Sequence, residues 1–204
     1  MIRSAERVTW AGRLRAPLED QGIWPRPVQD PLPVWIAVGG TPKSVARAGM
    51  LGLPLTIAII GGQPERFVPL VDLYRRAAAE AGHDPSRLNL GINTHAFVGD
   101  DSAFAPHYTA MMGRIGRERG WPPMTRDQYL ALKSPSGALA VGSPEEVTEK
   151  ILFQHELFAN TRYLGHMSLG AVEHADVLRS IELFGTQVAP AVREEVARRT
   201  SVAP

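Results

Sequence analysis

The chain has 204 residues, 44% hydrophobic and 21% charged, the composition of a folded globular protein and not of a disordered one. Its 22 Lys and Arg against 21 Asp and Glu leave a net charge of +1, which gives no electrostatic footprint for nucleic acid or an anionic membrane. Cysteine is absent, so disulfides, thiol nucleophiles and thiolate metal sites are excluded together.

No run approaches the roughly 18 apolar residues of a membrane-spanning helix. Met1 to Arg7 lacks the apolar stretch of a signal peptide. A soluble, cytoplasmic protein with no nucleic-acid or membrane partner is expected. The first prolines cluster at Pro17, Pro25, Pro27, Pro31 and Pro33. Proline fixes φ and removes a backbone donor, so residues 1–33 read as an irregular, Pro-rich lead-in. Trp10, Leu18 and Trp24 within it favour an ordered segment over a disordered one.

From residue 34 the chain alternates between apolar runs and helical patterns. Val34 to Val38 is a short strand ended by Gly39-Gly40, and Thr41-Pro42 opens a helix to about Leu51. Leu55 to Ile60 is the second strand, closed by Gly61-Gly62. Phe67, Leu70, Val71, Tyr74, Ala77 and Ala78 recur at helical spacing, which predicts a helix over 64–81. Leu88 to Val98 is the third strand and Arg162 to Leu169 the fourth. Between those two lies a long insertion with a helix from Phe104 to Arg119 and a break at Gly120-Trp121-Pro122-Pro123. Ser143 and Glu146, with Pro144 between them, have capping-box spacing and predict a helix to about Phe158. A last helix runs from Ala175 to about Gln187. Four apolar strands, each followed by helix, argue an α/β fold with a parallel sheet over residues 34–190 of a single 1–204 domain. That sheet is either a small open one or part of a (β/α) barrel.

The chemistry-bearing candidates sit at strand ends. Gly39, Gly40, Thr41 and Ser44 form a strand-end turn feeding a helix start, where backbone amides and the helix dipole favour an anion. The same residues also suit an ordinary strand-to-helix turn with Thr41 as N-cap. Asn93 and His95 share one face of the third strand, and His166 lies in the fourth. Parallel α/β folds gather their sites at the C-terminal strand ends, although a buried, hydrogen-bonded histidine is the commoner occupant of such positions. No histidine pair has metal-ligand spacing, no Walker or G-x-G-x-x-G turn is present, and no G-x-S-x-G elbow occurs, so metal, dinucleotide and serine-hydrolase sites have no support.

An ordered series of segments resembles the bacterial luciferase-like flavin-dependent monooxygenases. It begins with Val8-Thr9-Trp10-Ala11-Gly12, Arg15-Ala16-Pro17-Leu18 and Trp24-Pro25-Arg26-Pro27. It continues with Pro33-Val34-Trp35-Ile36-Ala37-Val38-Gly39-Gly40-Thr41, then Ala81-Gly82-His83-Asp84-Pro85. Val141-Gly142-Ser143-Pro144-Glu145-Glu146 and Leu183-Phe184-Gly185-Thr186 complete it. The resemblance implies a partial (β/α)8 barrel made of the four C-terminal strand–helix units, since a full barrel takes about 250 residues. It implies an oxidoreductase using reduced FMN, or alternatively F420, with O2 and a small organic substrate, supplied by a flavin reductase. It places the cofactor phosphate at Gly39, Gly40, Thr41 and Ser44, and puts Ile59, Asn93, His95 and His166 around the pocket. A half barrel exposes two sheet edges and an apolar interior, so a homo-oligomer is expected. The competing expectation is a non-catalytic flavin-binding or truncated half-barrel protein.

Overall fold

The computed structural model describes residues 6–202; the segment Met1–Ala5, read above for a leader, lies outside the described residues. The chain divides after Trp35 into two compact units.

In the first unit, β1 (Arg7–Trp10) pairs antiparallel with β2 (Leu18–Gly22), Arg7 opposite Gly22 and Val8 opposite Gln21. The Arg7 Nε donates to Asp20 Oδ1 at 2.7 Å across the pair. The irregular lead-in expected over 1–33 is therefore corrected. Pro17 falls in the connection and Pro25 to Pro33 lie beyond β2, so no paired position lacks an N–H. Residues 23–35 carry neither helix nor strand, as expected of the proline cluster.

The second unit is strand–helix alternation. Its elements are β3 (Ile36–Val38), α1 (Pro42–Met50), β4 (Leu55–Ala58), α2 (Val68–Glu80) and β5 (Leu90–Val98). There follow α3 (Asp101–Arg119), α4 (Arg126–Lys133), β6 (Ala140–Gly142) and α5 (Pro144–Phe158). The chain closes with β7 (Arg162–His166), α6 (His174–Leu183) and α7 (Ala189–Val202). All pairings in this unit are parallel: β3 with β4, β4 with β5, and β5 with both β6 and β7.

The expected capping box is present at α5, with Glu146 N donating to Ser143 Oγ and Ser143 N donating to Glu146 Oε2. A second box, Thr125 with Gln128, starts α4, a helix the apolar pattern did not reveal because it spans only 8 residues. Strand β6, of 3 residues, is likewise too short to show alternation and adds a fifth strand to the four expected. The last helix continues past Gln187, because a π-helical turn at Phe184–Val188 hands α6 directly into α7.

Strand parity divides the sheet into two faces. Val38, Leu55, Ile57, Leu90 and Ile92 pack with Val45, Val71 and Tyr74 of the helices into the main core. The intervening residues face the other way. Ala37, Thr56, Gly91 and Arg162 stand in register as one row across four strands, and Ala58, Asn93 and Leu164 form the next. Leu164 on that inner face is 37% exposed. Layered inward rows are the interior of a (β/α) barrel, and four strands make an arc of it. Among the described residues β3 pairs only with β4, and β7 only with β5, so the arc has two open edges.

Lys150 of α5 ties the insertion to the body. It is 4% exposed, and its Nζ donates to Leu132 O at 3.3 Å, to Lys133 O at 2.8 Å and to Leu139 O. These carbonyls end α4 and lead into β6. Burial pulls its pKa down to about 8, so between pH 8 and 10.5 the folded chain binds less proton than the unfolded one. The charge penalty thus fades as pH rises through that window. Lys150→Met should lower stability by about 1–3 kcal/mol at pH 7. The gap to wild type should widen from pH 8 to 10.5, read from urea denaturation midpoints.

Candidate functional site

All strands of the second unit run parallel, so their C-terminal ends share one edge of the sheet, where α/β folds place their sites. The turn after β3 leaves its backbone open. Gly40 has φ +121°, a conformation that side chains rarely adopt. A Cβ added at Gly39 would meet nothing within 4 Å, and one at Gly40 only the Phe67 ring at 4.0 Å. Gly39 is thus required neither by its backbone conformation nor by packing, and the space before it is open. The turn feeds the N-terminus of α1, whose first turn carries no acidic residue. Its leading amides are unsatisfied by helix geometry and present partial positive charge. Thr41 was expected to cap this helix with its side chain. It caps with its carbonyl alone, accepting from Ser44 N at 3.0 Å and Val45 N at 3.2 Å, and its hydroxyl makes no cap bond. The hydroxyl therefore stays available at the turn.

The structure brings His95 and His166 together. They are opposite each other in the β5–β7 register, with ring centroids 5.6 Å apart in an edge-to-face arrangement. His95 is 6% exposed and its Nδ1 lies 3.3 Å from the Tyr108 hydroxyl of α3. Burial, and then the neighbouring His166, pull the His95 pKa down to about 4, so it is neutral near pH 7. Burial pushes the Tyr108 hydroxyl up to about 12, so it remains a phenol able to donate. His166 is exposed on the inner face. Asn93 holds the two strands together, its Nδ2 donating to Leu164 O at 3.1 Å.

Ile59, expected at the pocket, is corrected. It is 0% exposed and belongs to the core cluster between sheet and helices. Strand alternation turns its neighbour Ile60 outward instead, at 41% exposure. Ile60 lines a cavity of about 390 Å3 at the same end of the sheet, bounded by Gly61 to Gln63 after β4 and by α3 and α4. Its wall is apolar, with Met112, Trp121, Met124 and Leu132, and it includes no charged residue. Gln63 supplies an amide, whereas the Gln128 side chain is engaged in the α4 capping box. The connection from β4 to α2 serves both features, since it carries Gly61 to Gln63 at the cavity and Phe67 beside Gly40. Tyr108 and this cavity were missed from the sequence. The only available hints were the Gly61-Gly62 strand end and the Phe104, Tyr108 spacing on α3.

The profile of the luciferase-like monooxygenase family matches residues 1–161. An uncharacterized protein, y4vJ, of Sinorhizobium fredii is 24% identical over 188 residues, which cover 85% of this chain and 53% of that protein. The chain therefore spans about half the length of this curated relative. The fold is similar to that of the monooxygenase RslO1 from Streptomyces bottropensis, with TM-score 0.66 and 21% identity over 93% of this chain and 57% of that one. An F420-dependent secondary alcohol dehydrogenase, solved with an F420–acetone adduct, gives TM-score 0.63 and 20% identity over 94% and 58% of the two chains. The oxygenating constituent of 3,6-diketocamphane monooxygenase from Pseudomonas putida, solved with FMN, gives TM-score 0.58 and 21% identity over 91% and 58%. With these likenesses the half-barrel architecture and the matched profile agree, and the chain belongs to the luciferase-like monooxygenase family.

Proposed function

We propose that this chain supplies the cofactor-phosphate turn and one wall of the reaction chamber of a flavin-type oxidoreductase, using reduced FMN and O2 on a small organic substrate. The observation that carries the proposal is the open Gly39-Gly40 turn at the N-terminus of α1. A phosphate placed there meets backbone amides, the positive end of the helix dipole and the Thr41 and Ser44 hydroxyls. FMN and F420 both present such a phosphate, and related folds are solved with each. When bound, reduced flavin supplies the electrons for O2 activation.

The chain's own residues would orient the substrate. The apolar cavity of Ile60, Met112, Trp121 and Leu132 suits an uncharged organic substrate. His95, neutral and hydrogen-bonded to Tyr108, holds a fixed dipole beside the exposed ring of His166. A non-catalytic flavin-binding half barrel is the second reading. It is favoured by the open edges at β3 and β7. The same edges and the exposed Leu164 support self-association of the isolated chain.

Thr41→Ala combined with Ser44→Ala should weaken FMN binding about tenfold in a fluorescence titration, as two lost hydroxyl contacts imply. Gly39→Val should leave the melting temperature near wild type, because its side chain enters open space, yet abolish binding; unchanged affinity in both variants rejects the phosphate turn. Turnover by a reductase-coupled NADH assay separates the two readings, since binding without turnover selects the non-catalytic one. His95 makes a pH signature of its own. The unfolded chain takes up its proton near pH 6.5 and the folded one only near 4, so stability falls as pH drops between them, on the order of 3 kcal/mol in all. His95→Gln should flatten that slope in urea titrations at pH 7 and 4.5. Sedimentation velocity should show association that rises with protein concentration; a single monomer at every concentration rejects self-association.

A further inference from the structure

The largest of the described cavities lies at the other end of the sheet, away from the phosphate turn and the histidine pair. It is a cleft of about 620 Å3 between α5, the start of β7, and α7. That volume is within the range of small-molecule sites, roughly 300–1,000 Å3. Its floor is the Tyr163 ring stacked on Phe184, with centroids 6.2 Å apart and planes at 21°. Ile151 and Val196 form apolar side walls. The π-helical turn at Phe184–Val188 sets this geometry, since it delivers Phe184 and Ala189 to the same cleft; such turns recur at functional sites.

The polar lining has one sign. The cleft's charged lining is Arg193, with Arg162 at the rim, and no Asp or Glu lines it. Two acids of the flanking helices pair away from the cleft. Glu195 pairs with Arg198 and Arg199 at 2.7 Å each, and Glu156 lies 3.9 Å from Arg199. Arg193 has no carboxylate partner among the described residues, so its charge is open to a ligand. Asn160, 7% exposed, donates from its Nδ2 to Arg162 O at 3.0 Å.

We propose that this cleft is a second binding site, separate from the flavin chamber, for a small amphipathic anion: a carboxylate beside Arg193 with an apolar chain laid over Tyr163 and Phe184. Charge complementarity selects the headgroup and the stacked rings with Ile151 and Val196 select the chain. The site does not depend on the proposed flavin chemistry, because none of the residues assigned to that chemistry borders the cleft.

Isothermal titration calorimetry of the full chain with decanoate tests it. Saturable binding at one site is expected, with methyl decanoate and inorganic phosphate each at least about tenfold weaker, since each lacks one half of the recognition. Arg193→Glu, on an exposed face, should weaken decanoate by a similar factor, and Val196→Trp should fill the cleft and abolish binding, with circular dichroism confirming that both variants fold. Thr41→Ala with Ser44→Ala should bind decanoate as wild type does. Absence of saturable binding, equal affinity for the methyl ester, or wild-type affinity in Arg193→Glu would each overturn the proposal.

Discussion

Strand β5 is the constraint on which the second unit depends. It is 9 residues long, and its backbone pairs with β4 along one stretch, with β7 along an overlapping one and with β6 at its C-terminal end. A parallel strand with neighbours on both sides must satisfy both faces with side chains as well. Its alternate residues do so differently. Leu90 and Ile92 enter the helix-side core, Ala96 and Val98 enter a second cluster under α5 and α6, and Phe97 stacks on Phe104 from the opposite face. The inward position between the rows is where Asn93 and His95 fall. The histidine pair is therefore a consequence of sheet register: once β7 pairs with β5 at Asn93 and Leu164, His95 and His166 are brought opposite each other.

The same edge of the sheet carries the Gly39-Gly40 turn, because parallel strands end together. Two glycines without a packing requirement precede a helix whose first turn lacks acidic charge. Helices α2 and α7 share that lack, whereas α3 and α5 begin differently. Helix α5 opens on Glu145 and Glu146 and α3 on Asp101, carboxylates that already occupy the dipole's positive end. The starts of α3 and α5 are thus met by the chain's own carboxylates, and the first turn of α1 is not.

The insertion between β5 and β7 is held by specific polar contacts as well as by apolar packing. Tyr129 of α4 donates to Asp101 at the start of α3, and Lys133 lies 3.0 Å from the same carboxylate. Lys150 reaches back from α5 to three carbonyls of the α4–β6 connection. Burying an ammonium is costly unless its donors are all met, and here they are. These contacts hold α3 and α4 over the inner face and so close the cavity beside Ile60.

Much of this was legible in the residues. Helices α1, α2 and α5, the glycine-ended strands and the family itself follow from local signals: apolar period, proline and glycine at element ends, the Ser143–Glu146 box. Their physical basis is short-range, so one sequence carries them. Helix α4 and strand β6 were not legible, because elements of 8 and 3 residues hold too few positions to show a period. Ile59 was misplaced by one residue, and in a strand one residue exchanges core for chamber. What the sequence by itself determined is the alternation of strand and helix, with the Gly39-Gly40 turn between β3 and α1. Only the tertiary structure decided which strand face looks inward, the meeting of His95 with His166 and Tyr108, and the cleft between α5 and α7. Each of those depends on register and helix packing between residues far apart in the chain, where no local propensity reaches.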